Sequence, residues 1–177
     1  HSSLSKITIF VVGHQEIDPF SDSMDCTFFF GCSDGSLGAN KCCKKSSLDP
    51  MTSTDYSLSN ASSKHDYGIS SLAYFRSYKS SFPEIVASGD DNGGVKLWDA
   101  GELKHLRTLL TTHPNPIVAS RFFLPDVAIG EDLFLNLFTM TGDAFCVVWD
   151  AESGTALRFV MLPISSISRV QMCSNCS

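Results

Sequence analysis

The sequence predicts an all-β fold assembled from repeated units, and three observations carry that prediction. The first is a hairpin pattern from Ile85 to Asp99. Two short apolar runs, Ile85 to Ser88 and Val95 to Trp98, flank the turn-forming residues Asp90 to Gly94. The second is a copy of that pattern from Leu137 to Asp150, where Trp149-Asp150 stands in the place of Trp98-Asp99. The third is the spacing from Trp98 to Trp149 of 51 residues, which makes each hairpin part of a longer repeat.

The agreement extends upstream of each Trp. His65 lies 33 residues before Trp98 and opens His65-Asp66-Tyr67-Gly68-Ile69, with Phe75 ten residues beyond it. His113 lies 36 residues before Trp149 and opens His113-Pro114-Asn115-Pro116-Ile117, with Phe123 again ten beyond. With this period and its repeated Trp-Asp, the chain resembles the WD40 repeat family, strongly over residues 65–162 and weakly over 6–40. The resemblance implies a WD40-type β-propeller of four-stranded blades, here a partial set with two clear, one degenerate and one begun. It also implies a buried hydrogen-bond relay in each blade. An indole N–H can only donate; a Ser or Thr hydroxyl can accept it and donate onward to an imidazole, which a turn Asp orients. The matching residues are Trp98, Ser88, His65 and Asn92 in one blade, and Trp149, Thr139, His113 and Asp143 in the next. Asn92 departs from the pattern. An amide gives a neutral bond where a carboxylate gives a charge-assisted one, so the turn of that blade is expected to be less rigid.

Taken in order, Lys6 to Val12 reads as a strand. Gly13-His14 after it has the form of a junction between the outer strand of one blade and the inner strand of the next, and His14 lies 51 residues before His65. Thr27 to Ser33 is a buried-strand run and Asp34-Gly35-Ser36 a tight turn, but Asn40 stands where a Trp is expected. Residues 1–45 are therefore read as a degenerate first blade that keeps its turn and loses its relay. The tract 46–64 holds seven serines, two threonines and one proline. Such a composition buries too little apolar surface to offset its ordering entropy, and predicts a disordered insertion open to phosphorylation. Residues 65–112 form the second blade, with Leu103 to Leu110 as outer strand. Residues 113–162 form the third, with Ile117 to Phe123 as inner strand, a loop from Leu124 to Asp132, and Leu157 to Leu162 as outer strand. Residues 163–177 begin a further blade, and a lone first strand would leave an unpaired edge. That edge, a start at His1 instead of Met, and the roughly four to eight blades of a closed ring together predict a segment of a longer chain.

Composition narrows the function. A chain of 177 residues that is 43% hydrophobic can bury a core in one domain. A net charge of −6 argues against a surface for nucleic acid or anionic membrane, whose affinity comes from Lys and Arg. No apolar run reaches the roughly 18 residues of a membrane span, and the N-terminus has no leader pattern, so an intracellular location, cytoplasmic or nuclear, is expected. Seven cysteines, an odd number without a leader, do not form a disulfide framework. Cys173 and Cys176 have Cys-x-x-Cys spacing, yet only the adjacent Cys42 and Cys43 could complete a metal set, so no metal and no cofactor are assigned. Cys26, Cys32 and Cys146 lie in apolar strands as small core residues. No Gly-x-Ser-x-Gly elbow and no Gly-rich phosphate loop is present, and His65 and His113 already serve the relay. No catalytic residue and no small-molecule substrate are therefore assigned. Asn60-Ala61-Ser62 and Asn175-Cys176-Ser177 match the glycosylation acceptor, which carries no meaning inside the cell.

A binding role remains. The resemblance implies a rigid scaffold that docks proteins or peptides on the face bearing its turns. The matching positions are Asp66, Tyr67, Asp91, Asn92, Pro114 and Asn115, with Gly142 beside them. Tyr67 leads because an exposed Tyr offers much contact area at low entropic cost, and the nearby Asp66, Asp90 and Asp91 favour a basic residue on the ligand. The expected function is a non-catalytic scaffold that holds other protein subunits or peptides in a multiprotein complex. The alternative is a regulated recognition module, or substrate receptor, switched by phosphate on the Ser-rich tract.

Overall fold

The structure, a computed structural model, describes residues 5–17, 24–44, 50–76, 83–111, 113–124 and 135–163. Among these, twelve strands form three four-stranded antiparallel sheets. The first contains β1 (Ile7–Ile17), β2 (Met24–Cys32), β3 (Leu37–Lys44) and β4 (Thr52–Leu58). The second contains β5 (Ile69–Phe75), β6 (Ile85–Asp90), β7 (Val95–Asp99) and β8 (His105–Leu109). The third contains β9 (Ile117–Phe123), β10 (Asn136–Thr141), β11 (Phe145–Asp150) and β12 (Ala156–Met161). Each sheet is a meander, so all its pairings are between neighbours in sequence. The central hairpins share one turn geometry. Gly35, Gly93 and Ala144, each five residues before Asn40, Trp98 or Trp149, have φ values of +84°, +86° and +68°. Only glycine takes that conformation without steric cost, so the third blade carries some strain that the first two avoid.

The blades stack through their faces. Alternation along β6 turns Val86 toward the first blade, where it packs with Trp98, Phe29, Leu37 and Ile69, while Ile85 and Ala87 pack with Leu137, Trp149 and Ile117 of the third. The first strands β1, β5 and β9 lie side by side, and their junctions repeat one device. Ile69 lies against Gly31, where a Cβ would come within 2.4 Å of the Ile69 side chain, and Ile117 lies against Gly89 at 2.5 Å in the same way. Hydroxyls seal both junctions: Thr8 donates to the Ile69 carbonyl, and Ser70 to the Ile117 carbonyl at 2.9 Å. Strand register makes Ile7 the counterpart of Ile69 and Ile117, since each pairs at the strand's start just before a bulge. Ile69 and Ile117 are 1% exposed, whereas Ile7 is 63% exposed. Together with Phe10, Phe28, Phe30 and Tyr56, Ile7 lines an open cavity of about 450 Å³ on the face of the first blade turned away from the second.

Three expectations change. Gly13 and His14 do not join two blades; they lie within β1, which is itself the inner strand of the first sheet, between the Val12 and Gln15 pairings to β2. The 51-residue spacing to His65 therefore does not mark a repeat. The first blade does not end at residue 45 either, since Leu37–Lys44 and Thr52–Leu58 are its third and fourth strands. The Ser-rich tract is thus ordered over 52–58. Composition misled because an edge strand needs only one pairing partner and little apolar surface: Tyr56 stacks on Phe30 at 5.7 Å and β4 pairs along β3. Residues 46–49 of the tract, the loop at 125–132, and residues 164–177 of the further blade lie outside the described residues.

Candidate interaction surface

The relay of the second blade begins at Trp98, fully buried on β7. Its indole N–H donates to the Ser88 hydroxyl at 2.7 Å. Ser88 and His65 Nε2 are 2.7 Å apart, and His65 Nδ1 lies 2.9 Å from Asp90 Oδ2. A carboxylate can only accept, so it holds the ring proton on Nδ1, and Nε2 is left to accept from the Ser88 hydroxyl. The chain therefore ends on Asp90 and not on Asn92, whose side chain is exposed and whose backbone N–H instead donates to Asp90 Oδ1 at 2.9 Å. Gly94 N–H adds a second bond to that oxygen at 2.7 Å. Burial raises the Asp90 carboxyl, but the bonds from His65, Asn92 and Gly94 outweigh it and hold the group below the ordinary carboxylate range. The turn is charge-assisted after all. Asp90 is two residues beyond Ser88, and the two-residue pleat puts both on one side of the strand. That pleat was the legible signal, and matching the turn position to Asn92 passed over it.

The third blade is built differently. Trp149 N–H donates to the Thr139 hydroxyl at 2.9 Å, as the pattern requires. Yet Thr141 stands where the second blade has Asp90, and Phe145 where it has Gly94. The Thr141 hydroxyl donates to Asp143 and accepts the Phe145 N–H, while Asp143 accepts the Asn115 side-chain amide at 2.9 Å. The Thr141 bond is the main cause holding the Asp143 carboxyl below its usual range. His113 lies flat on the Phe145 ring with centroids 3.6 Å apart, and among the described contacts no hydrogen bond joins it to Thr139 or Asp143. The two turns thus differ in construction: one rests on a buried imidazole, the other on an Asn-Asp-Thr surface bridge. The Asp of each Trp-Asp pair has another task. Asp99 accepts the N–H groups of Gly101 and Glu102, and Asp150 those of Glu152 and Ser153, closing the turn into the outer strand.

The same end of the sheets gathers the positions assigned to a partner. Asp66, Asp91, Asn92 and Pro114 are exposed, Tyr67 is 51% exposed, and Asn115 is half-buried through its bond to Asp143. The backbone around them is fastened at several points. The Asp91 N–H donates to the Gly68 carbonyl at 2.9 Å, and the His65 N–H to the Gly35 carbonyl at 3.0 Å. The Ser59 N–H donates to the Leu37 carbonyl at 2.7 Å, and Lys96 Nζ donates to the Ser63 and Lys64 carbonyls at 2.8 Å each. Gly142 joins through its N–H to the Pro116 carbonyl at 2.9 Å. Lys96 was not read from the sequence, since nothing local marks a strand lysine as the clamp of a distant loop. Among the described residues, no group of three His, Cys, Asp or Glu side chains could hold a metal ion; Cys173 and Cys176 lie outside them. No helix of the described residues is long and apolar enough to cross a membrane.

Solved structures share this architecture. The WD40 repeats of RRP9 match 94% of this chain with a TM-score of 0.58 at 17% identity, and the C-terminal WD40 domain of Sif2 matches 90% with a TM-score of 0.50 at 15% identity. The match covers 42% of the RRP9 chain and 40% of the Sif2 chain, so this chain spans about two fifths of either. No family model matches the sequence, and no curated protein matches it. At such identities the likeness shows the fold: an all-β, unclosed set of WD40-type β-propeller blades.

Proposed function

We propose that the chain is a non-catalytic interaction module that docks a protein or peptide partner on its turn face around Tyr67, within a multiprotein complex in the cytoplasm or nucleus. The observation that carries the reading is the presentation of Tyr67. The residue is half exposed while the backbone on either side of it is held, His65 by Gly35, Gly68 by Asp91, and Ser63 and Lys64 by Lys96. A Tyr on fixed backbone loses little entropy when a partner covers it. Asp66 and Asp91, both exposed beside it, favour a basic side chain on that partner. The WD40-type fold agrees with protein partners in general.

The phosphate-switched reading finds less support. Ser59 is buried and its hydroxyl accepts the Leu37 N–H, and Ser53 donates to Asn40, so two of the tract's serines already hold the first blade together. The test is affinity purification of the full chain with quantitative mass spectrometry, beside a Tyr67→Ala/Asp91→Lys variant. A partner near one-to-one that the variant loses is the expected result. Retention of the same partners by a folded variant would overturn the assignment of this face.

A further inference from the structure

We propose that Cys26 and Cys42 form a reversible modification site, a cross-strand disulfide made on oxidation by a peroxide. They are direct register partners on β2 and β3. Directly opposed residues of an antiparallel pair point to the same face of the sheet with Cα atoms about 4.5 to 5.5 Å apart. That range falls inside the roughly 4.4 to 6.8 Å that a disulfide spans. Both are free thiols in this structure.

The surroundings give each sulfur a distinct role. Cys26 is 6% exposed, and burial first, then the charges of Cys42 and Asp25, push its thiol above the ordinary range. Cys42 is more open and meets an oxidant first. Its thiolate attacks one peroxide oxygen, the O–O bond breaks, water leaves after protonation, and Cys42 becomes a sulfenic acid. The Cys26 sulfur then attacks Cys42 Sγ. The S–S bond forms, the S–O bond breaks, and the Cys26 proton leaves with the hydroxyl as a second water. Overall two thiols and one peroxide give one disulfide and two waters. The Cys42 thiol donates to Asn40 Oδ1 at 3.5 Å, and this bond is lost. Asn40 Oδ1 stays satisfied because Ser53 donates to it at 2.8 Å. Cys43 does not compete, as it faces the other side, opposite Asp25, with Thr52 at 3.7 Å from its sulfur.

The bond would tie the end of the β2–β3 hairpin away from its turn, on the open face that carries Phe28 and Phe30. The experiment treats the full chain with hydrogen peroxide, blocks remaining thiols, and maps peptides by non-reducing mass spectrometry. Cys43→Ser serves as background, because Cys42 and Cys43 share a tryptic peptide. A Cys26–Cys42 crosslink two hydrogens lighter than its parts, reversed by dithiothreitol and absent in Cys26→Ser, is expected. In Cys26→Ser, Cys42 should instead stop at sulfenic acid, trapped by dimedone. Cys42 sulfenic acid persisting with Cys26 intact, or crosslinking of Cys42 to any other cysteine, would overturn the assignment. Unchanged thiols at peroxide levels that fully oxidise a small-molecule thiol would overturn it equally.

Discussion

The second and third blades carry the same Trp-to-hydroxyl bond, Trp98 to Ser88 and Trp149 to Thr139, but rest their turns on different supports. In the second blade His65 is 1% exposed and bonded at both ring nitrogens. In the third His113 is half-buried and gives its face to Phe145. Two substitutions account for the contrast. Gly94 leaves room for the Asp90 carboxylate, since a Cβ there would come within 2.5 Å of Asp90 Oδ2, while Phe145 fills the corresponding position and Thr141 has no charge to offer an imidazole. A repeat can therefore keep its visible motif and lose the interaction beneath it.

The largest expected effect separates the two acids. Asp90→Ala leaves His65 buried without its acceptor and should cost about 3 kcal/mol of unfolding free energy, whereas Asp143→Ala at a part-exposed bridge should cost about 1 kcal/mol or less. Urea denaturation reads both, and equal losses would erase the contrast. Gly93→Ala comes next. It forces a side chain into a left-handed turn with its Cβ 2.1 Å from the His113 carbonyl, and should cost about 2 kcal/mol.

The pH dependence follows from the same carboxylate. The folded Asp90 is held below its unfolded value, so its contribution is full above the ordinary carboxylate pKa near 3.9 and is lost as pH falls through the folded value. The wild-type chain should lose stability below about pH 4 more steeply than Asp90→Asn, which starts lower and changes less. Parallel slopes would contradict the relay as drawn. The smallest effect is a gain: Ala144→Gly relieves a positive φ in the third blade and should add about 0.5 kcal/mol, net of the greater backbone entropy of glycine.

The hairpins at Ile85 and Leu137 were legible because turn chemistry and alternation are local, and their strands lie where the pattern puts them. The buried Trp and hydroxyl pairs were equally legible, since both sit on those hairpins at fixed spacing. What escaped was set by pairing across distance. Thr52–Leu58 is a strand because β3 offers it a ladder and Phe30 offers Tyr56 a ring, which composition does not reveal. Gly13-His14 looked like a junction until β2 paired across it. Asp90 was hidden behind Asn92, which matches the turn position of the repeat, although the pleat places Asp90 with Ser88. The separate burial of Ile69 and Ile117 and the exposure of Ile7 depend on neighbouring sheets, which no single repeat encodes.

The most direct test is a pair of double-mutant cycles, His65→Ala with Asp90→Ala and His113→Ala with Asp143→Ala, measured by equilibrium unfolding of the full chain. The account predicts a coupling of about 1 to 3 kcal/mol in the second blade and about zero in the third. Equal couplings in the two blades, or none between His65 and Asp90, would contradict it.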